Sequence, residues 1–270
     1  MVTKGQGNPA GKRGVWGRRN RMFSVTLAPK LPYTGAVLTL SLDTSSRGGS
    51  VAVLRDLAVL GVVSTWGDEA YSSRIFRQLE FLLAELGLKL DQFELFAVAA
   101  GPGSFTGLRV GLASAKAWSE AYGKPVAGVS ALEAVAAQCA YPATWLVPVV
   151  DARRGQFYGA SYRKEAGRRQ AGGELRLEGD ERVVGGDELL KLVRERSSDG
   201  EVAVVATEPE LVTRLVEPAG TKVFRASNVL APWIGQLAVV RAKQGKLSDA
   251  LTLDANYVRR SDAELDAKGR

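Results

Sequence analysis

The chain has 270 residues, 46% hydrophobic and 24% charged, a balance that buries a sizeable core in one large or two modest domains. Histidine is absent and cysteine occurs once, at Cys139. No Ser-His-Asp or Cys-His dyad, H-E-x-x-H zinc helix, internal disulfide or multi-cysteine metal site can therefore be built, and carboxylates, Lys, Arg, hydroxyls and backbone amides remain for chemistry.

The net charge of +7 is local. Lys4, Lys12, Arg13, Arg18, Arg19, Arg21 and Lys30 stand in the first 34 residues without an acid, and removing those seven from the total of 36 leaves as many basic residues as the 29 acids. The basic pI thus describes this segment and does not imply a nucleic-acid-binding face on the rest. Residues 1–35, rich in Gly, Pro and Arg without apolar periodicity, read as a disordered extension. A targeting peptide, an RNA-attracting arm, or a true start at Met22 are open alternatives. Lys30 and two prolines interrupt the only stretch resembling a signal's apolar region, and no run approaches the ~20 apolar residues of a membrane helix. The body reads as cytoplasmic.

Alternation predicts a strand over 36–43, the turn-rich Thr44-Ser45-Ser46-Arg47-Gly48-Gly49, a second strand over 50–54 and a third over 60–66. The period then changes: Ile75, Phe76, Leu79, Leu82, Leu83 and Leu86 form one face of a helix that Gly87 ends. A strand over 95–100, a glycine-rich loop, a helix over 108–122, a strand over 125–129 and a helix over 131–139 complete a βββαβαβα half. The second half repeats that grammar: a strand over 145–150 reaching Asp151, the turn Ala152-Arg153-Arg154-Gly155, and a returning strand over 156–162. A polar hairpin region runs to Val184, followed by a helix over 187–196, a strand over 202–206, a helix over 208–216, a short strand over 222–224 and a last helix within 227–243 whose start Pro232 obscures. The fold class expected is α/β with duplicated actin-like, ribonuclease H-like lobes. Its organisation is a basic extension (1–35), a first lobe (36–141), a second lobe (142–262) and a polar tail (263–270).

Twinned Asp hairpins of this kind build nucleotide clefts in actin and sugar kinases, where hairpin amides face phosphates and aspartates organise magnesium. Asp43 and Asp151 are candidates for that role, or for turn capping, since Ser45 and Arg153 stand where phosphate hairpins want glycine. Arg153 and Arg154 would also crowd a nucleotide or imitate its cleft. The loop Gly101-Pro102-Gly103-Ser104-Phe105-Thr106 either cradles an anion at a helix N-terminus or makes a sharp turn capped by Ser104 or Thr106; it matches neither the Walker pattern nor G-x-G-x-x-G. Gly107, Gly111, Ala115 and Ser119 form a small-residue stripe that admits either the chain's own elements or a partner helix. Glu178, Asp180 and Glu181 read as a solvated loop, and Cys139 as a small core residue.

The run GPGSFTGLRVGLASAKAWSEAYGKPVAGVSALEAVA resembles the signature region of the TsaB family, the dimerisation subunits of the bacterial tRNA threonylcarbamoyladenosine machinery. LTLSLDTSSRGGSVAV, SSRIFRQLEFLLAELGLKLDQF, PVVDARRGQFYGASY and ANYVRRSDAE extend the resemblance in order over most of 36–260. Two features depart from the family pattern: Ser72, where members often carry His, and the basic extension. The resemblance implies an actin-like fold that has lost its own active site, vestigial hairpins at Asp43 and Asp151, and no metal or cofactor held by this chain alone. It further implies a TsaD-type transferase as partner, with a TsaE-type ATPase joining them. ATP or ADP and metal would reside on those subunits, and tRNA would be reached through the complex, whose product is the modified adenosine 3′ to the anticodon in tRNAs reading ANN codons. Pairing would use the first-lobe helices, with Ile75, Leu79, Leu82, Gly107, Arg109, Gly111, Leu112, Ala115 and Lys116 as contacts, and Gly111→Leu would abolish association while leaving the fold intact. A homodimer is an open alternative. A small-molecule kinase or ATPase using Asp43 and Asp151 is the rival function, and a metal glycopeptidase is disfavoured by the absent histidines.

Overall fold

A computed structural model describes residues 35–67, 71–164, 175–247 and 252–258, all within the compact unit Leu31–Arg270. The basic extension through residue 34, the side chain of Ser72, Arg259 and Arg260 of the closing segment, and the polar tail lie outside the described residues.

The first sheet contains β1 (Leu38–Asp43), β2 (Ser50–Arg55), β3 (Ala58–Ser64), β4 (Leu95–Gly101) and β5 (Val126–Ser130), in the order β3-β2-β1-β4-β5. β2 and β3 run antiparallel, whereas β4 and β5 are parallel; Leu40 faces Val53 on one side and Phe96 on the other. The second sheet repeats this with β6 (Trp145–Arg153), β7 (Gln156–Gly159), β10 (Arg182–Val184), β11 (Val202–Ala206) and β12 (Lys222–Arg225), in the order β10-β7-β6-β11-β12. β8 (Tyr162–Lys164) and β9 (Leu175–Leu177) branch from β6. The shared three-antiparallel, two-parallel order is the duplicated actin-like, ribonuclease H-like architecture that the repeated pattern implies.

Helices α1 (Tyr71–Leu86) and α2 (Phe105–Tyr122) cover one face of the first sheet, burying Ile75, Leu79, Leu82, Leu112 and Ala115 against Leu40, Leu42, Val53 and Phe96. Each large side chain so buried contributes about 1.5–3 kcal/mol. Helices α3 (Ala131–Ala136) and α6 (Ala231–Lys243) share the other core with Ala97, Ala99, Leu146 and Val205. α6 belongs to the second half of the chain, yet it lies on the first sheet. The Ser41 hydroxyl donates to the Ala231 carbonyl (2.7 Å), Ala231 N–H donates to Ser50 Oγ (3.1 Å), and Arg241 donates to the Gly128 carbonyl (2.9 Å). Gly235 brings the helix backbone against Leu54 and Ser41, where a Cβ would overlap.

The strand expected over 156–162 is broken into β7 and β8, and three other local differences have backbone causes. Beyond α4 (Gly186–Ser197), the helix expected over 208–216 reduces to a 3-10 turn at Pro209–Leu211 and the single turn α5 (Thr213–Val216), because Pro209 restricts Glu208 and supplies no N–H. α2 begins three residues earlier than its apolar period indicates, since Ser104 caps it. Pro232 sits in the first turn of α6, where a missing N–H costs nothing, so it starts that helix rather than interrupting it.

Candidate functional site

The signature loop is seated on the chain's own first hairpin. Ser104 N–H donates to the Ser45 carbonyl (2.7 Å), the Thr44 hydroxyl donates to the Gly107 carbonyl (2.7 Å), and Ser104 Oγ accepts from Gly107 N–H (3.3 Å). Gly103 lies so close to Ser45 that any Cβ would overlap its carbonyl. Gly101 has φ +112°, and its α-carbon faces the Asn256 carbonyl, 2.7 Å from where a Cβ would stand. Pro102 is buried, Phe105 half-buried and Thr106 exposed. The glycines thus serve a tight turn and close packing, and the amide of Ser104 points at protein rather than at an anion.

Asp43 is wholly buried beneath this loop. Its Oδ1 accepts the Ser45 N–H (2.8 Å) and hydroxyl (2.6 Å), while its Oδ2 is buried without a hydrogen-bond partner. Burial pushes its carboxyl above the ordinary value, and the two Ser45 hydrogen bonds only partly oppose that. Asp151 makes the same local turn, accepting the Arg153 N–H (2.7 Å), but on a hairpin whose Arg153 and Arg154 are exposed. In both hairpins the amide two residues on, which a nucleotide-binding hairpin would offer to phosphate, is taken by the aspartate. The first hairpin is also roofed by Gly103 and Ser104.

The proposed contact residues divide. Ile75, Leu79, Leu82 and Leu112 are core side chains, at most 6% exposed, and Gly107, Gly111, Ala115 and Ser119 face the first sheet. A Cβ on Gly111 would overlap the Thr44 hydroxyl and press on Val98, and Ser119 Oγ donates to the Lys124 carbonyl (2.5 Å). The stripe therefore serves the chain's own packing, correcting its assignment to a partner, and Gly111→Leu would attack the fold itself. Arg109 and Lys116 do reach the surface, the latter half-buried. Arg109 lies 3.8 Å over the Phe105 ring and donates from Nε to the Tyr257 hydroxyl (3.3 Å), with Tyr257 and Phe105 in ring contact (4.9 Å).

The outward faces of these helices present Phe76, which the period placed on the apolar face of α1, and residues that periodicity assigned to no site. Phe76 and Phe81 of α1 are 47% and 58% exposed, and Phe76 meets Trp118 of α2 edge-on at 6.5 Å. On α2, Ala113, Ala117 and Ala121 form a second small-residue stripe, and this one is exposed. Trp66, 64% exposed, and Phe81 border a groove of about 400 Å³ between β3 and α1, with Val63, Arg74 and Gln78 on its floor and walls. The readable signal was there: Phe81 falls outside the i, i+3, i+4 face of its helix, where a large apolar side chain is left exposed.

A polar cluster ties the two sheets together. Glu181 accepts from the Tyr162 hydroxyl (2.6 Å), the Ser130 hydroxyl and the Asn256 side-chain amide. Burial raises the Glu181 carboxyl and the Tyr162 hydroxyl above their ordinary values. Burial likewise raises Glu133, although Arg241 pairs with it. The expectation of a solvated loop is overturned for Glu181, because β10 carries it back onto the end of β5. Cys139 is buried as expected.

No described helix is long and apolar enough to cross a membrane. A family model described as TsaD, tRNA N6-adenosine threonylcarbamoyltransferase, matches residues 56–214. The chain is 29% identical over 227 residues to a Bacillus subtilis protein named tRNA threonylcarbamoyladenosine biosynthesis protein TsaB, covering 83% of this chain and 95% of that one. An Escherichia coli protein of the same name is 33% identical over 129 residues, covering 47% of this chain and 55% of that one. A solved Pseudomonas aeruginosa structure, described as an uncharacterized protein with similarity to the peptidase YeaZ, matches with a TM-score of 0.67 at 25% identity, covering 83% of this chain and 100% of that chain.

Proposed function

The chain belongs to the tRNA N6-adenosine threonylcarbamoyltransferase (TsaD) family, and from that membership we propose that it is a non-catalytic subunit of the tRNA threonylcarbamoyladenosine pathway which binds and activates a TsaD-type transferase. The observation that carries this reading is the closed first hairpin. The place where an actin-like enzyme receives phosphate is filled by the chain's own signature loop, with Asp43 sealed beneath it. Relatives named for threonylcarbamoyladenosine biosynthesis support the pathway. The absence of histidine supports placing the transferase's metal chemistry on the partner.

The partner contacts the outer face of α1 and α2: Phe76 and Phe81 as apolar anchors, the Ala113–Ala117–Ala121 stripe as the line of close helix approach, and Arg109 and Lys116 as charged contacts. A TsaE-type ATPase joins the pair, nucleotide and metal stay on those subunits, and tRNA is reached through the complex. The modified base is the adenosine 3′ to the anticodon in tRNAs reading ANN codons, and the work is done in the cytoplasm. A homodimer through the same face would compete with the heterodimer.

Threonylcarbamoyl transfer to tRNA by the cognate transferase and ATPase, with and without this chain, is the test. Transfer that requires the chain, while the chain alone turns over no nucleotide, supports the reading; transfer indifferent to it sinks it. Ala117→Arg sharpens the surface assignment. It is expected to weaken association at least about thirtyfold, as loss of a central contact does. Its unfolding free energy should stay within about 0.5 kcal/mol of the parent, since the site is exposed. Unchanged affinity would place the partner elsewhere.

A further inference from the structure

We infer that Thr252–Val258 is a strap that positions Arg109 and the signature loop for partner binding, with Asn256 and Glu181 as its clasp, a role that rests on the partner surface proposed above. The strap has no regular secondary structure, so its conformation is set by what it touches. Leu253 is buried over Gly128, in a seat that any side chain at that position would close. Asn256 N–H donates to the Ala100 carbonyl (2.7 Å), extending the end of β4, and its own carbonyl lies over the α-carbon of Gly101. The Asn256 side chain then reaches Glu181, the residue before β10 of the second sheet, whose other donors are Ser130, at the N-cap of α3, and Tyr162 of β8.

One residue further, Tyr257 rests on Phe105 and receives Arg109. Arg109 stands at the head of the exposed row that continues through Ala113, Ala117 and Glu120 on α2. A long cation on a free helix face samples many rotamers, and holding one before binding removes that entropic cost from association. Ring and hydroxyl hold the guanidinium here. Because the clasp joins the strap to Glu181 beside β10, the signature loop is tied to the second sheet here as well as through the shared core.

The test exchanges the two ends of the clasp. Asn256→Asp sets a second carboxylate against Glu181; adding Glu181→Gln reverses donor and acceptor and restores the pair. Amide hydrogen exchange of residues 101–109 in the isolated full-length chain should rise about tenfold in the single variant and return to within about twofold of the parent in the double variant. Affinity for the transferase should fall and recover in the same order. Exchange that is unchanged in Asn256→Asp, or not restored by the second substitution, overturns the strap. Looser exchange with unaltered affinity overturns its positioning role. Should Asn256→Asp fail to fold, Tyr257→Ala replaces it: faster exchange of 101–109 with weaker binding is expected, and parental values for either overturn the proposal. A parent chain that binds no transferase defeats the proposed function, while the exchange data still decide the strap.

Discussion

The two aspartate hairpins begin from the same local chemistry and finish as different objects. Asp43 ends β1 and Asp151 stands two residues before the end of β6, and each accepts the amide hydrogen two residues on. Over the first hairpin lies the signature loop, so Asp43 is inaccessible and carries an unpartnered oxygen. The second hairpin turns in the open, with Arg153, Arg154 and Gly155 at φ of 63°, 56° and 71°. The short-range turn is a property of Asp and its neighbours; whether it becomes a sealed core element or a surface tip depends on what another segment places above it.

Breaking the roof should have the largest effect on this contrast. Gly111→Leu forces a side chain into Thr44 and Val98, and a loss of about 3 kcal/mol in urea unfolding is expected, with Asp43 exposed as the loop lifts. Retention of parental stability would show that the hairpin tolerates displacement.

A smaller effect follows from the buried carboxyl. Since the folded chain holds the Asp43 proton more tightly than the unfolded chain, this group contributes less to stability as pH rises above its ordinary value of 3.8 and towards its raised folded value. Asp43→Asn keeps an oxygen acceptor for Ser45 and removes the charge. The variant is therefore expected to gain on the parent as pH climbs from 4 to 8 in a series of denaturation curves, and to equal or exceed it at pH 8. A parent that instead gains on the variant with rising pH would mean that the carboxylate has a cationic partner.

The smallest effect belongs to the open hairpin. β6 and β7 pair Arg153 with Gln156 around a two-residue turn, Arg154-Gly155, in which both residues have positive φ. Asparagine tolerates that conformation better than arginine, so Arg154→Asn should stabilise the chain by about 0.5 kcal/mol with no change in partner affinity. A loss of affinity would assign that tip to binding after all.

The duplicated order of elements was legible because it rests on short-range signals: alternation in β1, the 3.6-residue period of α1 and Gly87 at its end (φ +61°). The last helix was legible as a helix, but its place on the first sheet was not, since a hydroxyl from Ser41 and a gap beside Gly235 define that contact across nearly two hundred residues. Glu181 was misread for the same reason. Its neighbours in sequence are polar, whereas its neighbours in space are Ser130, Tyr162 and Asn256.

α2 carries two small-residue rows of period four, Gly107–Gly111–Ala115–Ser119 and Ala113–Ala117–Ala121, and sequence alone offers no way to choose between them. Composition, period and the turn-forming residues determined the elements, their duplication and the absence of histidine chemistry. Only the tertiary structure decided which row faces the sheet, because that choice depends on the Thr44 hydroxyl and the Val98 side chain meeting Gly111, which has no Cβ to exclude them.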